Sequence, residues 1–272
     1  MTLPAPDPAR TSLVTGASSG IGAEIARLLA ARGQGLTLVA RREDRLRTLA
    51  DELSGRHGVR VEVVPTDLTD EGSRTDLVAE VRRRDLEVNI LVNNAGLTTM
   101  GPAARGDVAG DLAMVRTDVE AVVHLCTALL PGMVERRSGA ILNTASTAAF
   151  QPLPGQAGYG ASKAFVLSYS HAVRAELRGS GVTVTALCPG PVETGFAETA
   201  GLTDDEAAET LPKFMWVPAA DVAAAAVAGM DADRAVVIPG IANKVGAGAG
   251  WLAPRAVLLP LMAKRHPALR HH

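Results

Sequence analysis

The chain holds two tyrosines in 272 residues, and one of them, Tyr159 in GYGASKAF, stands four positions before Lys163. On a helix, residues i and i+4 share a face, so a phenol and an ammonium can converge on one point. A free phenol ionises near pH ~10 and is a poor proton carrier at neutrality. A neighbouring ammonium stabilises the phenolate and draws its pKa toward the working range. The same lysine can donate to ribose hydroxyls of a bound cofactor. Ser146, upstream in NTAS, ends an apolar stretch where its hydroxyl can hold a carbonyl or alcohol oxygen. The chemistry offered is proton transfer at a carbonyl. A lone YxxxK match also arises by accident on a helix surface.

A second cluster lies near the start. TGASSGIG runs from Thr15 to Gly22, directly after a β-branched run and before an apolar-periodic one. In that context a pyrophosphate can lie on free backbone N–H groups at a helix N-terminus. Gly16 permits the sharp turn, Gly20 lets backbone approach phosphate, and Gly22 allows close helix–strand packing. Ser18, Ser19 and Ile21 complete the loop, with the Ser18 hydroxyl a further contact. Glycine clusters also occur in plain turns, and that alternative stands until strand and helix are seen. The second apolar run ends VARRED. Arg41 and Arg42 occupy the place where a carboxylate would hold a ribose 2′-hydroxyl, which favours a 2′-phosphate and NADP(H) over NAD(H). Two solvated arginines at a helix start is the other reading.

The elements that must position these residues are legible as periodicities. Ser12–Val14, Leu36–Ala40, Val59–Val64, Ile90–Asn93, Ala140–Thr144, Val182–Leu187 and Ala235–Ile238 read as strands. They are apolar throughout, the pattern of strands buried on both faces. Helical patterns such as Ile21–Ala31 and Leu46–Leu53 lie between them, and a long apolar helix spans 107–135. This alternation predicts an α/β fold: one Rossmann-type, doubly wound parallel sheet of about seven strands with helices on both faces. Residues 1–240 form the dinucleotide-binding and catalytic domain, and 241–272 form an extension. Within it, Asn243–Gly250 reads as loop or weak helix, and Pro254 and Pro260 forbid one continuous helix over Trp251–Lys264.

Bulk properties exclude several classes. The apolar fraction is 47%, the charged fraction 21% and the net charge −2, so nothing marks a nucleic-acid binder. Cys126 and Cys188 lack disulfide or metal spacing and read as reduced core residues. The N-terminal MTLPAPDPAR has no secretory apolar region, and a cytoplasmic protein is expected. No metal site is expected.

Taken together, TGxxxGxG at Thr15–Gly22, NNAG at Asn93–Gly96, Ser146, Tyr159, Lys163 and PGPVET at Pro189–Thr194 resemble the short-chain dehydrogenase/reductase family, of the compact single-domain type, over about residues 10–240. The resemblance implies hydride transfer between a nicotinamide and a carbonyl/alcohol pair. Tyr159 would be general acid in reduction and base in oxidation, Ser146 would polarise the substrate oxygen, and Lys163 would tune Tyr159 and hold the ribose. It places Asp67 and Leu68 near the adenine and Asn94, Ala95 and Gly96 along the cofactor. Pro189, Gly190 and Val192 would flank the nicotinamide, with Thr194 on its carboxamide or a phosphate. One departure stands out. The family commonly carries an asparagine in the long helix, serving a water relay to the lysine, where this chain has Asp118. A working relay with an acidic member, a slower enzyme with a shifted pH optimum and an alignment slip all remain open.

The substrate side is expected in a lid from Phe196 to about Val217, acidic at Glu198, Asp204, Asp205, Glu206 and Glu209 and apolar at Phe214, Met215 and Trp216. Gln151, Pro152, Leu153 and Gln156 are expected at the pocket mouth. The wide apolar stripe of the 107–135 helix, which carries His124 as a packing residue, points through the resemblance to a homodimer or homotetramer. The extension, apolar with Lys264, Arg265 and Arg270, is expected to pack on the domain or at a subunit interface, with an amphipathic patch touching a membrane as the second reading. Besides a ketone, aldehyde or secondary-alcohol oxidoreductase, a 3-oxoacyl-thioester reductase and a non-catalytic NADP-binding regulator remain as readings.

Overall fold

Leu13 and Val14, neighbours in the first strand, are both fully buried but belong to different cores. Successive strand residues point to opposite faces, so a strand apolar throughout must be covered on both sides. The computed structural model describes residues 3–193, 213–265 and 269, and its sheet is covered in that way.

The first half runs β1 (Arg10–Thr15), α1 (Gly20–Ala30), β2 (Leu36–Ala40), α2 (Glu43–His57), β3 (Val61–Pro65), α3 (Glu71–Arg83) and β4 (Glu87–Asn93). The second runs α4 (Val108–Val115), a π turn (Arg116–Glu120), α5 (Ala121–Glu135), β5 (Gly139–Thr144), α6 (Ala157–Glu176) and β6 (Val182–Leu187). The two-residue strands β7 (Val192–Glu193) and β8 (Val217–Pro218) pair with each other. Then come α7 (Ala219–Asp231), β9 (Val236–Val237), α8 (Ile241–Leu252) and α9 (Arg255–Arg265).

Seven strands form one parallel sheet in the order β3-β2-β1-β4-β5-β6-β9. The α/β architecture is the one the sequence predicts. Side chains from α1, α2 and α7 fill one core, and those from α3, α5 and α6 fill the other. The chain reverses direction of winding between β1 and β4, so a crevice opens at their carboxyl ends. The glycine loop follows β1 and NNAG follows β4, which puts both at that crevice.

The long helix differs from the sequence reading in one respect. It spans Val108–Glu135, but a π turn interrupts it, closed by the Ala121 N–H on the Arg116 carbonyl. A π turn widens the helix by a residue and often marks a functional position. Here it carries Asp118.

The extension also departs from expectation. Asn243–Gly250 lies within the regular helix α8 despite three glycines. Packing supplies what propensity does not: Asn243, Ala247 and Gly250 are buried on one face, and a Cβ on Gly250 would stand 2.2 Å from Gln151 Oε1. Pro254 ends α8's continuation, as expected. Pro260 instead sits inside α9, where the Ala256 carbonyl it leaves unpaired is on an exposed residue and can turn to water.

Candidate active site

One cleft of about 930 Å³ runs across the carboxyl ends of the central strands. Its lining gathers Gly16, Ser18, Ser19, Gly20, Ile21, Arg41, Arg42, Asp67, Leu68, Asn94, Ala95, Gly96, Ser146, Tyr159, Lys163, Pro189, Gly190 and Val192. Of the remaining expected residues, Gly22 lies beneath the loop rather than on the wall, and Thr194 falls outside the described residues. Asp118 also lies off the wall, paired with Lys163 behind it.

The glycine loop is shaped by sterics. Gly16 and Gly20 have φ of 65° and 54°, the left-handed region that disfavours other residues. A Cβ on Gly22 would stand 2.4 Å from the Gly16 carbonyl oxygen and 2.6 Å from Asn94 Nδ2. Beyond the loop α1 begins, and its N-cap Ser19 makes no side-chain capping bond. The first-turn N–H groups are thereby left for an anion.

Arg42 Nη2 donates to Ser18 Oγ at 2.9 Å and to Ser19 Oγ at 2.8 Å. The guanidinium is held at the loop, with Arg41 and Arg45 beside it on the cleft wall. The donor set is that of a phosphate site. Asp67, exposed, accepts from the Thr69 N–H and hydroxyl at 3.0 and 2.8 Å, so it orders its own turn as well as bordering the cleft.

The NNAG turn is bolted to the end of β1. Thr15 Oγ1 accepts from the N–H groups of Asn94 and Ala95 at 2.9 and 3.0 Å, and Asn94 Nδ2 donates to the Thr15 carbonyl at 3.1 Å. Asn93 points the other way, into a buried chain in which its Nδ2 donates to Asn143 Oδ1 at 2.9 Å and Asn143 Nδ2 donates to Ser170 Oγ at 3.0 Å. Its role is to support the sheet.

The candidate residues for proton transfer come together from three elements. Ser146 follows β5, where its Oγ accepts from the Ala148 N–H at 3.1 Å and donates only weakly, at 3.4 Å, to the Pro189 carbonyl. Tyr159 and Lys163 share a face of α6, with Lys163 Nζ 5.6 Å from the phenol ring centre. From behind, the π turn brings Asp118 Oδ2 within 2.9 Å of Lys163 Nζ. Asp118 Oδ1 accepts from the Leu97 N–H at 2.8 Å, and the Thr144 carbonyl accepts from Lys163 at 3.2 Å. Gly96 leaves room for this pair, since a Cβ there would lie 3.2 Å from Nζ.

Electrostatics follow from burial and charge. Burial opposes the Lys163 charge, but Asp118 and the phenol outweigh it and lift the lysine above its ordinary pKa. Burial raises the Asp118 carboxyl, with the ammonium and the Leu97 N–H pulling it back. Tyr159 is raised too, chiefly by burial; Lys163 and Ser146 favour its phenolate and Asp118 opposes it. The lysine therefore acts in the expected direction without winning, and Tyr159 is held protonated at neutral pH. Cys126 and Cys188 are buried and pushed up to about 12 by desolvation, which makes them inert thiols.

Several cleft residues were not foreseen: Arg45, Thr66, Thr144, Asn243, Gly246, Ala247, Leu261 and Met262. Arg45 was readable as the next basic residue on the Arg41 side. Asn243, Leu261 and Met262 were not, because only tertiary packing folds α8 and α9 over the cleft. Gln151, Leu153, Gln156 and Met215 line it as expected, whereas Pro152 is not among the lining residues. The lid's acidic residues, from Glu198 to Glu209, lie outside the described residues.

Residues 10–205 match the model of the short chain dehydrogenase family. The chain is 41% identical over 201 residues to sulfoacetaldehyde reductase 2 of Chromohalobacter salexigens, covering 73% of this chain and 79% of that one. It is 38% identical over 199 residues to the NADP-dependent 3-hydroxy acid dehydrogenase of Escherichia coli, covering 72% and 79%. Among solved structures, a short-chain dehydrogenase from Sphingobium yanoikuyae in complex with NADPH superposes with a TM-score of 0.80 at 35% identity, over 95% of this chain and 97% of that one. The chain belongs to the short-chain dehydrogenase/reductase family. It is an oxidoreductase of that family, a dehydrogenase/reductase.

Proposed function

We propose that the protein reduces an uncharged, largely apolar ketone or aldehyde, or oxidises the matching secondary alcohol, with NADP(H) as cofactor and Tyr159 as the proton carrier. The observation that carries this reading is the meeting of Ser146, Tyr159 and Lys163 in one cleft with the Arg42-braced glycine loop. NADP(H) suits the donor set, and the relatives from Escherichia coli and Sphingobium yanoikuyae are described as NADP-dependent or NADPH-bound.

When bound, the nicotinamide supplies or accepts the hydride. The protein's part is the proton and the orientation. Ser146 gives up its weak bond to Pro189 and donates to the substrate oxygen, polarising the carbonyl. Tyr159, held protonated by its burial, donates its proton to that oxygen as charge develops. Lys163, anchored by Asp118 and the Thr144 carbonyl, stabilises the phenolate left behind. Asp118 keeps the lysine charged and in place, the acidic-relay reading of this position.

The substrate class follows from what lines the far end of the cleft. Leu153, Met215, Ala247, Leu261 and Met262 surround Gln151 and Gln156 there. Among the described lining residues the basic ones are Arg41, Arg42 and Arg45 on the cofactor loop side and the ion-paired Lys163. Among the described lining residues no further cation stands at the substrate end for a sulfonate or carboxylate such as the names of the relatives describe. The enzyme works in the cytoplasm, as a homodimer or homotetramer through the helices of 108–135 and 157–176, where Val108, Leu112 and Phe165 leave apolar surface exposed.

NADPH oxidation followed by absorbance across alicyclic, aromatic and acyl ketones, alongside sulfonated and carboxylated aldehydes, tests the reading. The highest kcat/KM is expected for uncharged apolar carbonyls. Turnover confined to the anionic aldehydes would overturn the substrate class, and no turnover of any compound would overturn the activity.

A further inference from the structure

We infer that α8 and α9 form a docking face for an anionic membrane surface, which sets the mouth of the cleft against the lipid. The juxtaposition behind this lies within two helices. On one side Asn243 and Ala247 are buried at the cleft, and Leu261 and Met262 line it. On the other, Ile241, Val245, Trp251, Leu252 and Val257 are each about two-thirds exposed or more. A helix apolar all round is normally covered on every side, and so dense a run of large exposed apolar side chains marks an interaction site.

Charge identifies the occupant. Residues 241–272 carry Lys244, Arg255, Lys264, Arg265 and Arg270 and not one aspartate or glutamate. The rest of the chain holds 22 of the 27 basic residues and all 29 acidic ones, a balance of −7. Among the described residues, no carboxylate pairs with Lys244, Arg255 or Lys264. A negative surface therefore repels the body on balance and attracts this face, which favours one orientation of the molecule. Basic residues beside exposed Trp and Leu are the composition of an interfacial element. A second copy is the poorer occupant. A two-fold contact of this face with itself would bring like charges together, and its contact with the acidic body of a second copy is an outcome that the oligomer mass detects.

A consequence, which rests on the carbonyl reading above, is that apolar substrates dissolved in the bilayer reach the cleft past Leu261 and Met262 without crossing water. The docking itself does not depend on that reading, and the two fail separately.

The test is sedimentation of the full chain with phosphatidylcholine vesicles with and without phosphatidylglycerol, with a W251E/V257E variant in parallel. Wild-type protein should pellet with the phosphatidylglycerol vesicles alone and be released by salt. Replacing Arg255 or Lys264 with Ser should weaken partitioning about fivefold each. W251E/V257E should stay in the supernatant while reducing a water-soluble ketone at the wild-type kcat/KM. Wild-type protein that stays in the supernatant, or a double variant that pellets equally, overturns the inference. So does a drop in oligomer mass on W251E/V257E without lipid, which would assign the face to a second copy. Pelleting by a protein inactive on every carbonyl would leave the docking standing and refute the proposed function.

Discussion

Asp118 and Lys163, one on a π turn and the other on α6, form a buried ion pair with Oδ2 and Nζ 2.9 Å apart. Both side chains are almost wholly inaccessible, at 0% and 5% exposed. A buried pair keeps its charges only because each partner offsets the other's desolvation. The Lys163 ammonium beside the Tyr159 phenol thus faces a carboxyl group rather than a neutral amide.

Asp118→Asn removes that charge. The carboxylate raises Tyr159, so its loss lowers the phenol's pKa. Reduction needs Tyr159 protonated and its rate falls as pH rises through that pKa; oxidation needs the phenolate and gains over the same interval. Both limbs should therefore move to lower pH. Profiles of kcat against pH in the two directions check this. Unmoved profiles would remove Asp118 from the proton path.

Arg42 is held on the glycine loop by Ser18 and Ser19. Charge-assisted bonds to a phosphate contribute about 1.5–3 kcal/mol, so Arg42→Ala should weaken NADPH binding by roughly tenfold to a hundredfold. NADH, lacking the 2′-phosphate, should bind as before. Titration of the protein with each nucleotide, read by fluorescence, separates the two outcomes.

Gly190 and Asn243 meet across the cleft wall. A Cβ on Gly190 would stand 2.3 Å from Asn243 Oδ1, while Asn243 Nδ2 donates to the carbonyls of Met215 and Pro239 at 3.0 and 3.1 Å. Gly190→Ala should cost about 1–3 kcal/mol through overpacking. Asn243→Ala should cost about 1–2 kcal/mol through its lost bonds. The double variant should cost less than the sum, because the second change makes room for the first. Denaturant unfolding of the three variants measures the coupling.

The sequence revealed the fold and most of the site for a definite reason. Strands buried on both faces are apolar without alternation, and loop glycines that permit positive φ or close packing stand at fixed spacing. Those signals are local. Asn243, Leu261 and Met262 reach the cleft through packing between residues far apart in the chain, as with Asn243 against Gly190 and Gly250 against Gln151, and no local pattern encodes that. The same cause left α8 open between loop and weak helix: its glycines weaken a helix, and the surface that stabilises it lies elsewhere in the chain. The π turn was equally silent, since nothing in RTDVE at Arg116–Glu120 sets it apart from an ordinary α-helical turn. The net effect on Tyr159 was misjudged because the i+4 spacing displays the ammonium, whereas burial and the carboxylate behind it appear only in three dimensions.

The central claim is that the Tyr159 hydroxyl delivers the proton. Single-turnover reduction of an apolar ketone by Tyr159→Phe, with NADPH affinity measured on the same protein, tests it most directly. The rate should fall by about 10²–10⁴-fold while the nucleotide binds as tightly as before. A variant that binds NADPH and still reduces the ketone near the wild-type rate would contradict the account.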